Sequence, residues 1–210
     1  MTRSMGLRLW SALTVTVLLL AGPATAFETY KVTGVAAGDR LIVRDEPQDG
    51  GKLSDWAQIT SLSADATNVL GSGRSKLVNK QRWVEVVVGP ATGWVSERFL
   101  AAADDPVDLK GQTFQCGGAE PFWGVTLGPK AAEMSDPDSR SKLTVERVQP
   151  SVARMFPLLY RMRNEKGQSV RATVTHQQYC SDGMSDYDYA FQVLLSDEEE
   201  LWEGCCWLQR

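Results

Sequence analysis

Four kinds of side chain in this sequence could do chemistry: four cysteines, one histidine, carboxylates placed beside aromatic rings, and tryptophans in β-rich surroundings. Cys116, Cys180, Cys205 and Cys206 all lie in the C-terminal half. In an exported chain an even number of cysteines reads as a disulfide framework. The neighbours Cys205 and Cys206 would close a strained ring if joined to each other. On a strand they point to opposite faces. Each is therefore expected to take its own partner, Cys116 or Cys180, in two long-range bridges whose pairing the spacing leaves open. Zinc ligation would need a second ligand pair, and neither a C-x-x-C spacing nor a histidine beyond His176 is present. A Cys–His nucleophile needs a free thiolate, which bridged cysteines do not supply. No G-x-S-x-G, H-E-x-x-H, Walker or dinucleotide pattern occurs. The expectation is no catalytic residue, no metal and no cofactor.

The second half has three unusual clusters, Phe114–Trp123, Cys180–Asp186 and Gly204–Trp207, and the first two carry the carboxylates Glu120, Asp182 and Asp186. Glu120 precedes Pro121, which biases it to extended backbone. Asp182-Gly183 is a tight-turn dipeptide flanked by Ser181 and Ser185, whose hydroxyls can bond nearby backbone. A bridge from Cys116 or Cys180 to the last strand would draw Glu120, Trp123, Asp182 and Asp186 into one patch. Such a patch could clamp a glycan or peptide, and two carboxylates could do acid/base work. The local alternative is that the acids cap turns and Trp123 fills the core. A calcium site at Asp182, Asp186 and Asp188 lacks the spacing of an EF-hand loop.

The elements that must position these residues read as strands. Val170, Ala172 and Val174 alternate with Arg171, Thr173 and Thr175, and Phe191, Val193 and Leu195 repeat the period. Leu158, Tyr160 and Met162 do the same, and Pro157 argues against a helix over 151–163. Asp197–Glu200 reads as a solvated hairpin turn between Phe191–Leu195 and Leu201–Trp207. In the first half, Leu41, Val43 and Trp83–Val88 are β-branched or aromatic runs bounded by Gly and Pro. The fold class is all-β, with a barrel or sandwich in the second half.

At the N-terminus, Arg3 and Arg8 precede a thirteen-residue apolar run, Leu9–Ala21, and then Gly22-Pro23 and Ala24-Thr25-Ala26. That order predicts a secretory signal over 1–26 with the cut before Phe27. The run is well short of the ~20 residues that span a bilayer, so no stable membrane insertion is expected after cleavage. Loss of Arg3 and Arg8 takes the formal net charge from −4 to −6. An acidic chain without a basic run has no electrostatic footprint for nucleic acid. The small, charged, proline-containing stretch Ala101–Pro106 has linker composition. The expected organisation is thus a signal at 1–26, a first domain at 27–100, a linker at 101–111 and a cysteine-bearing domain at 112–210.

From Tyr30 to Leu100 the punctuation resembles the bacterial SH3 (SH3b) family. Leu41-Ile42-Val43-Arg44-Asp45-Glu46-Pro47 is similar to that family's L-N-V-R-x-x-P opening. Ile59-Thr60-Ser61-Leu62, Trp83-Val84-Glu85-Val86 and Gly93-Trp94-Val95, closing at Phe99-Leu100, follow in the family's order. Ile42 replaces the usual asparagine, and Gly71–Gln81 reads as a lengthened loop. The resemblance implies an SH3-like barrel that binds cell-wall peptide or an envelope protein, with Trp83 and Trp94 as anchors or as core. The second half resembles a bacterial envelope family marked by E-P-F-W, C-S-D-G-M-S-D and a terminal G-C, which names a domain and assigns no chemistry.

The functional expectation is a periplasmic or secreted, non-enzymatic binding protein. Two alternatives stand beside it. One is an inhibitor resembling the small disulfide-bonded barrels that block lysozyme, whose basic surface an acidic chain would suit. The other is a carboxylate-dependent wall hydrolase.

Overall fold

The computed structural model describes residues 28–47, 58–105, 107–152 and 154–209. The signal segment 1–26 and Pro106 of the expected linker lie outside them. The described chain is almost entirely strand, joined by tight turns and two short 3-10 turns.

The first half contains β1 (Thr29–Val32), β2 (Arg40–Arg44), β3 (Gln58–Ser63), β4 (Val69–Val78), β5 (Gln81–Val88), β6 (Ala91–Ser96) and β7 (Leu100–Ala102). They form one antiparallel sheet in the order β3-β2-β6-β5-β4-β1-β7. Alternation puts Leu41 and Val43 of β2, Val84 and Val86 of β5 and Val95 of β6 into a common core with Val32 and Val69. Two boundaries differ from the sequence reading. Ala101 and Ala102, read as linker, complete β7 and pair with Lys31 and Tyr30. Gly71–Gln81 is no lengthened loop: it runs up β4 and turns at Asn79-Lys80 into β5. Both turn residues have positive φ, 48° and 66°, the backbone that two-residue hairpins need to match strand twist. Apolar alternation is missing from this strand because Ser72 and Arg74 face a buried polar partner, Glu85, rather than an apolar core.

The second half is an eight-stranded antiparallel meander. Its strands are β8 (Thr113–Ala119), β9 (Phe122–Leu127), β10 (Ala131–Ser135), β11 (Arg140–Pro150), β12 (Leu158–Asn164), β13 (Ser169–Cys180), β14 (Tyr189–Ser196) and β15 (Leu201–Gln209). Each pairs with the next, and β15 returns to pair with β8, so the sheet is a closed barrel and not a sandwich. The residues expected to share faces do so: Leu158, Tyr160, Met162, Ala172, Val174, Phe191, Val193 and Leu195 all point into the interior. Asp197–Glu200 makes the expected turn, with the Asp197 carboxylate accepting from the Glu199 and Glu200 amides. Eight strands leave an interior just wide enough for side chains, and Phe114 meets Phe191 edge-on across it at 5.2 Å.

The halves are not independent beads. Leu70 and Val87 of the first sheet are buried in the same apolar cluster as the barrel residues. Val107 and Leu109, inside the stretch 101–111 expected as linker, also pack there.

Candidate functional site

The cysteine pair on β15 organises the second half. Adjacent residues of a strand face opposite ways. Cys206 turns inward and bridges Cys116, its direct register partner on β8, at a Cα–Cα distance of 4.0 Å. Cys205 turns outward and bridges Cys180, the last residue of β13, at 5.6 Å. One bridge therefore lies within the barrel core. The other lies on its outer wall, packed with Tyr189 and Trp207. All four sulfurs are oxidised, the chemistry of an oxidising compartment.

The outer bridge anchors the segment that follows it. Asp182 accepts hydrogen bonds from the backbone amides of Met184 and Ser185, and from the hydroxyls of Ser185 and Tyr189. Partial desolvation pushes its carboxyl up, but these bonds outweigh it and hold the pKa at about 2. Asp182 is a turn cap. It also lines a 350 Å³ trough with Phe122, Trp123, Asp136, Met184 and Trp207.

The floor of that trough is a row across four strands. Cys205, Gly117, Gly124 and Ser135 are consecutive register partners on β15, β8, β9 and β10. Two glycines side by side leave the wall without side chains there. Trp123 is 7% exposed and sits among the barrel's core residues. A Cβ at Gly118 would fall 2.6 Å from its indole nitrogen, so the missing side chain makes room for the ring. Of the four residues expected to form one patch, Trp123 and Asp182 share the trough. Glu120 and Asp186 are exposed and do not line it. Glu120 stands in the β8–β9 turn, where its bond to Pro121 is cis. Sequence reasoning did not single out Phe122, Asp136 or the glycine row.

In the first half, Trp83 and Trp94 have different surroundings. Trp94 is buried, with the Arg74 guanidinium 5.4 Å and the Lys76 ammonium 4.9 Å from its ring centre. Arg74 is also 4.3 Å from the Tyr179 ring of the second half and 2.7 Å from Glu85. Trp94 thus belongs to the seam between the halves. His176 is in the same region. Burial pushes its imidazole below the ordinary range, opposed by a hydrogen bond to the Ser72 backbone.

Trp83 instead lines an open cleft of 760 Å³ with Arg40, Ile42, Arg44, Gln81 and Arg98. The cleft lies where β2 and β6 separate, since their only register pair is Arg44 with Trp94. Arg40 is braced on Ser61 through its side chain and backbone oxygens. Burial lowers the pKa of Arg44, with Asp45 opposing. The Trp83 Nε1 is buried and has no hydrogen-bond partner among the described residues.

No family model, no curated protein and no solved structure matches the chain.

Proposed function

We propose that the protein is exported and acts outside the bacterial inner membrane as a non-enzymatic binding protein, its first half holding a short carboxylate-bearing peptide of the cell wall. The observation that carries this reading is the Trp83 indole N–H, buried in the wall of the cleft with no acceptor among the described residues. Buried donors nearly always have partners, and a peptide carbonyl or carboxylate in the cleft would supply one once the ring turns its N–H toward it. Three arginines line the same cleft against one acid, Asp39. A guanidinium partly stripped of water, as Arg44 is, gains most from a charged acceptor with matching planar geometry. The separation of β2 from β6 offers an extended peptide a place beside a strand. The SH3b-like order of residues in this half points the same way. The basic, apolar and small-residue regions of 1–26 would direct export, and the two bridges suit the periplasm or the outside.

The hydrolase reading draws little from Asp182, because a carboxyl held at about 2 is a poor proton donor at neutral pH.

Sedimentation of the full mature chain with purified wall sacculi tests the proposal. The protein is expected in the pellet. Trp83→Phe keeps an aromatic ring but removes the N–H with part of the indole, and should weaken retention roughly 3- to 10-fold, about the size of one neutral hydrogen bond. Arg44→Gln should weaken it by roughly tenfold or more, the size of a charged one. Wild-type protein left in the supernatant, or both variants retained as fully as wild type, would overturn the reading.

A further inference from the structure

We infer that the barrel's outer wall carries a second binding site, apart from the Trp83 cleft, in which the glycine-floored trough takes a single basic side chain, lysine or arginine, of a protein or peptide partner.

The shape comes first. Gly117 and Gly124 lie flat between Cys205 and Ser135, so a bound group rests on backbone and on the outer disulfide. The sides are apolar. Phe122 and Met184 are 58% and 57% exposed and line the same trough, so together they offer apolar surface to whatever enters it. Trp207 stands across the floor from Phe122. Walls of this kind suit the methylene stem of a long side chain and present ring faces to its charged end. A volume of 350 Å³ holds one side chain and not a strand or helix.

Charge decides which side chain. The only ionisable groups lining the trough, apart from Tyr189 and the bridged Cys205, are Asp136 and Asp182. The nearest basic residue by register, Arg140 opposite Ser135, is paired with Glu133 at 3.2 Å. Both carboxyls are held below their ordinary range by bonds from their own turns, so they stay charged at mildly acidic pH.

Those same bonds separate a cation from a sugar. Asp136 already accepts from the amides of Asp138 and Ser139 and from the Ser139 hydroxyl. Asp182 accepts from three donors of its own loop and from the Tyr189 hydroxyl at the start of β14. Neutral hydroxyls need unspent acceptors set at fixed angles, and few remain. A cation needs only the field and the ring faces. The acidic chain as a whole would steer a basic partner toward the site.

The test is an NMR titration of the full mature chain with three probes: Nα-acetyl-arginine amide, its neutral isostere Nα-acetyl-citrulline amide, and N-acetylglucosamine. The arginine amide is expected to shift the Gly117 and Gly124 amides and the Trp207 indole N–H saturably. The citrulline amide should bind roughly tenfold more weakly, and the sugar should not saturate. Asp136→Asn keeps an oxygen for the turn and removes the charge, so it should weaken the arginine amide roughly 2- to 5-fold. Gly124→Leu should abolish saturation. A Cβ there meets Ser135 Oγ at 3.4 Å and nothing nearer, so the backbone can carry the side chain that fills the floor. Equal binding of citrulline and arginine amides, saturation by the sugar, or unchanged affinity in a folded Gly124→Leu would each overturn the inference. Asp136→Asn decides alone if that variant does not fold, and unchanged affinity there also overturns it. Sacculus retention, which depends on the other cleft, is untouched by any of these outcomes.

Discussion

The two halves bury their cores by different means, and the difference decides where each can hold a ligand. The first is an open sheet whose edge strands are β3 and β7, and its concavity lies where neighbouring strands separate. The second closes on itself, and Phe114, Tyr160, Met162 and Phe191 fill the inside. A filled barrel has no internal site to offer, so its concavity is on the outer wall, made by leaving out side chains at Gly117 and Gly124. In the open sheet a site comes from missing pairing; in the closed one it comes from missing side chains. The first cleft is lined by arginines and the second trough by aspartates, so the two would select ligands of opposite charge.

The comparison is broken most forcefully at the bridges, which only the second half has. Cys116 and Cys206 are 90 residues apart and Cys180 and Cys205 are 25 apart. By the chain-entropy account, replacing the inner pair with alanine should lower stability by roughly 4–5 kcal/mol and the outer pair by roughly 3 kcal/mol. Urea unfolding of the two double variants measures this. The outer variant should keep sacculus binding, because its lesion is confined to the barrel wall. A greater loss from the outer pair would show that the loop it anchors, and not chain closure, dominates the second half's stability.

The next effect lies at the seam. Arg74 touches the Tyr179 and Trp94 rings and pairs with Glu85, whose side chain is 4% exposed. Arg74→Ala leaves that buried carboxylate with Ser72 as its remaining side-chain donor. The expected loss is roughly 2–3 kcal/mol, below the figure for a fully buried pair because Arg74 retains some solvent. Calorimetry should also show a single transition separating into two, since Leu70, Val87 and the His176 bond to the Ser72 backbone would be left to couple the halves. One sharp transition with unchanged midpoint would place the coupling in those remaining contacts.

The sequence made some of this legible and hid the rest, for physical reasons. The interior faces of β12, β13 and β14 follow from period-two alternation, because a closed barrel separates inside from outside on every strand. That Cys205 and Cys206 need different partners follows from the same geometry. β4 was not legible, since the seam it faces is polar and it presents buried Ser72 and half-buried Arg74 there. The trough was not legible either. Gly117 and Gly124 are visible in the sequence, but their alignment with Cys205 depends on a pairing that spans most of the domain. Glu120 stands outside the trough because it lies in the β8–β9 turn, a placement set by how that hairpin closes and not by the residue types beside it.

The smallest effect sharpens the comparison most. Each half contains a buried polar atom with no hydrogen-bond partner among the described residues, Trp83 Nε1 and Tyr160 Oη. Tyr160 has no exposed surface and projects into the packed barrel, where burial pushes its phenol well up. No ligand reaches it, so its unmet bond is only a penalty. Tyr160→Phe should therefore raise stability by about 1 kcal/mol and leave both binding assays unchanged. Trp83→Phe also deletes part of a ring that is only 7% exposed, so it should lower stability by roughly 1 kcal/mol while weakening sacculus retention. The two substitutions thus have opposite consequences, because the Trp83 side chain is part of a cleft wall and Tyr160 lies wholly inside the packed barrel. Denaturant midpoints for the two variants, set beside their retention on sacculi, check this directly. A Trp83→Phe variant that is destabilised and still retained would make that indole a packing residue like Trp94.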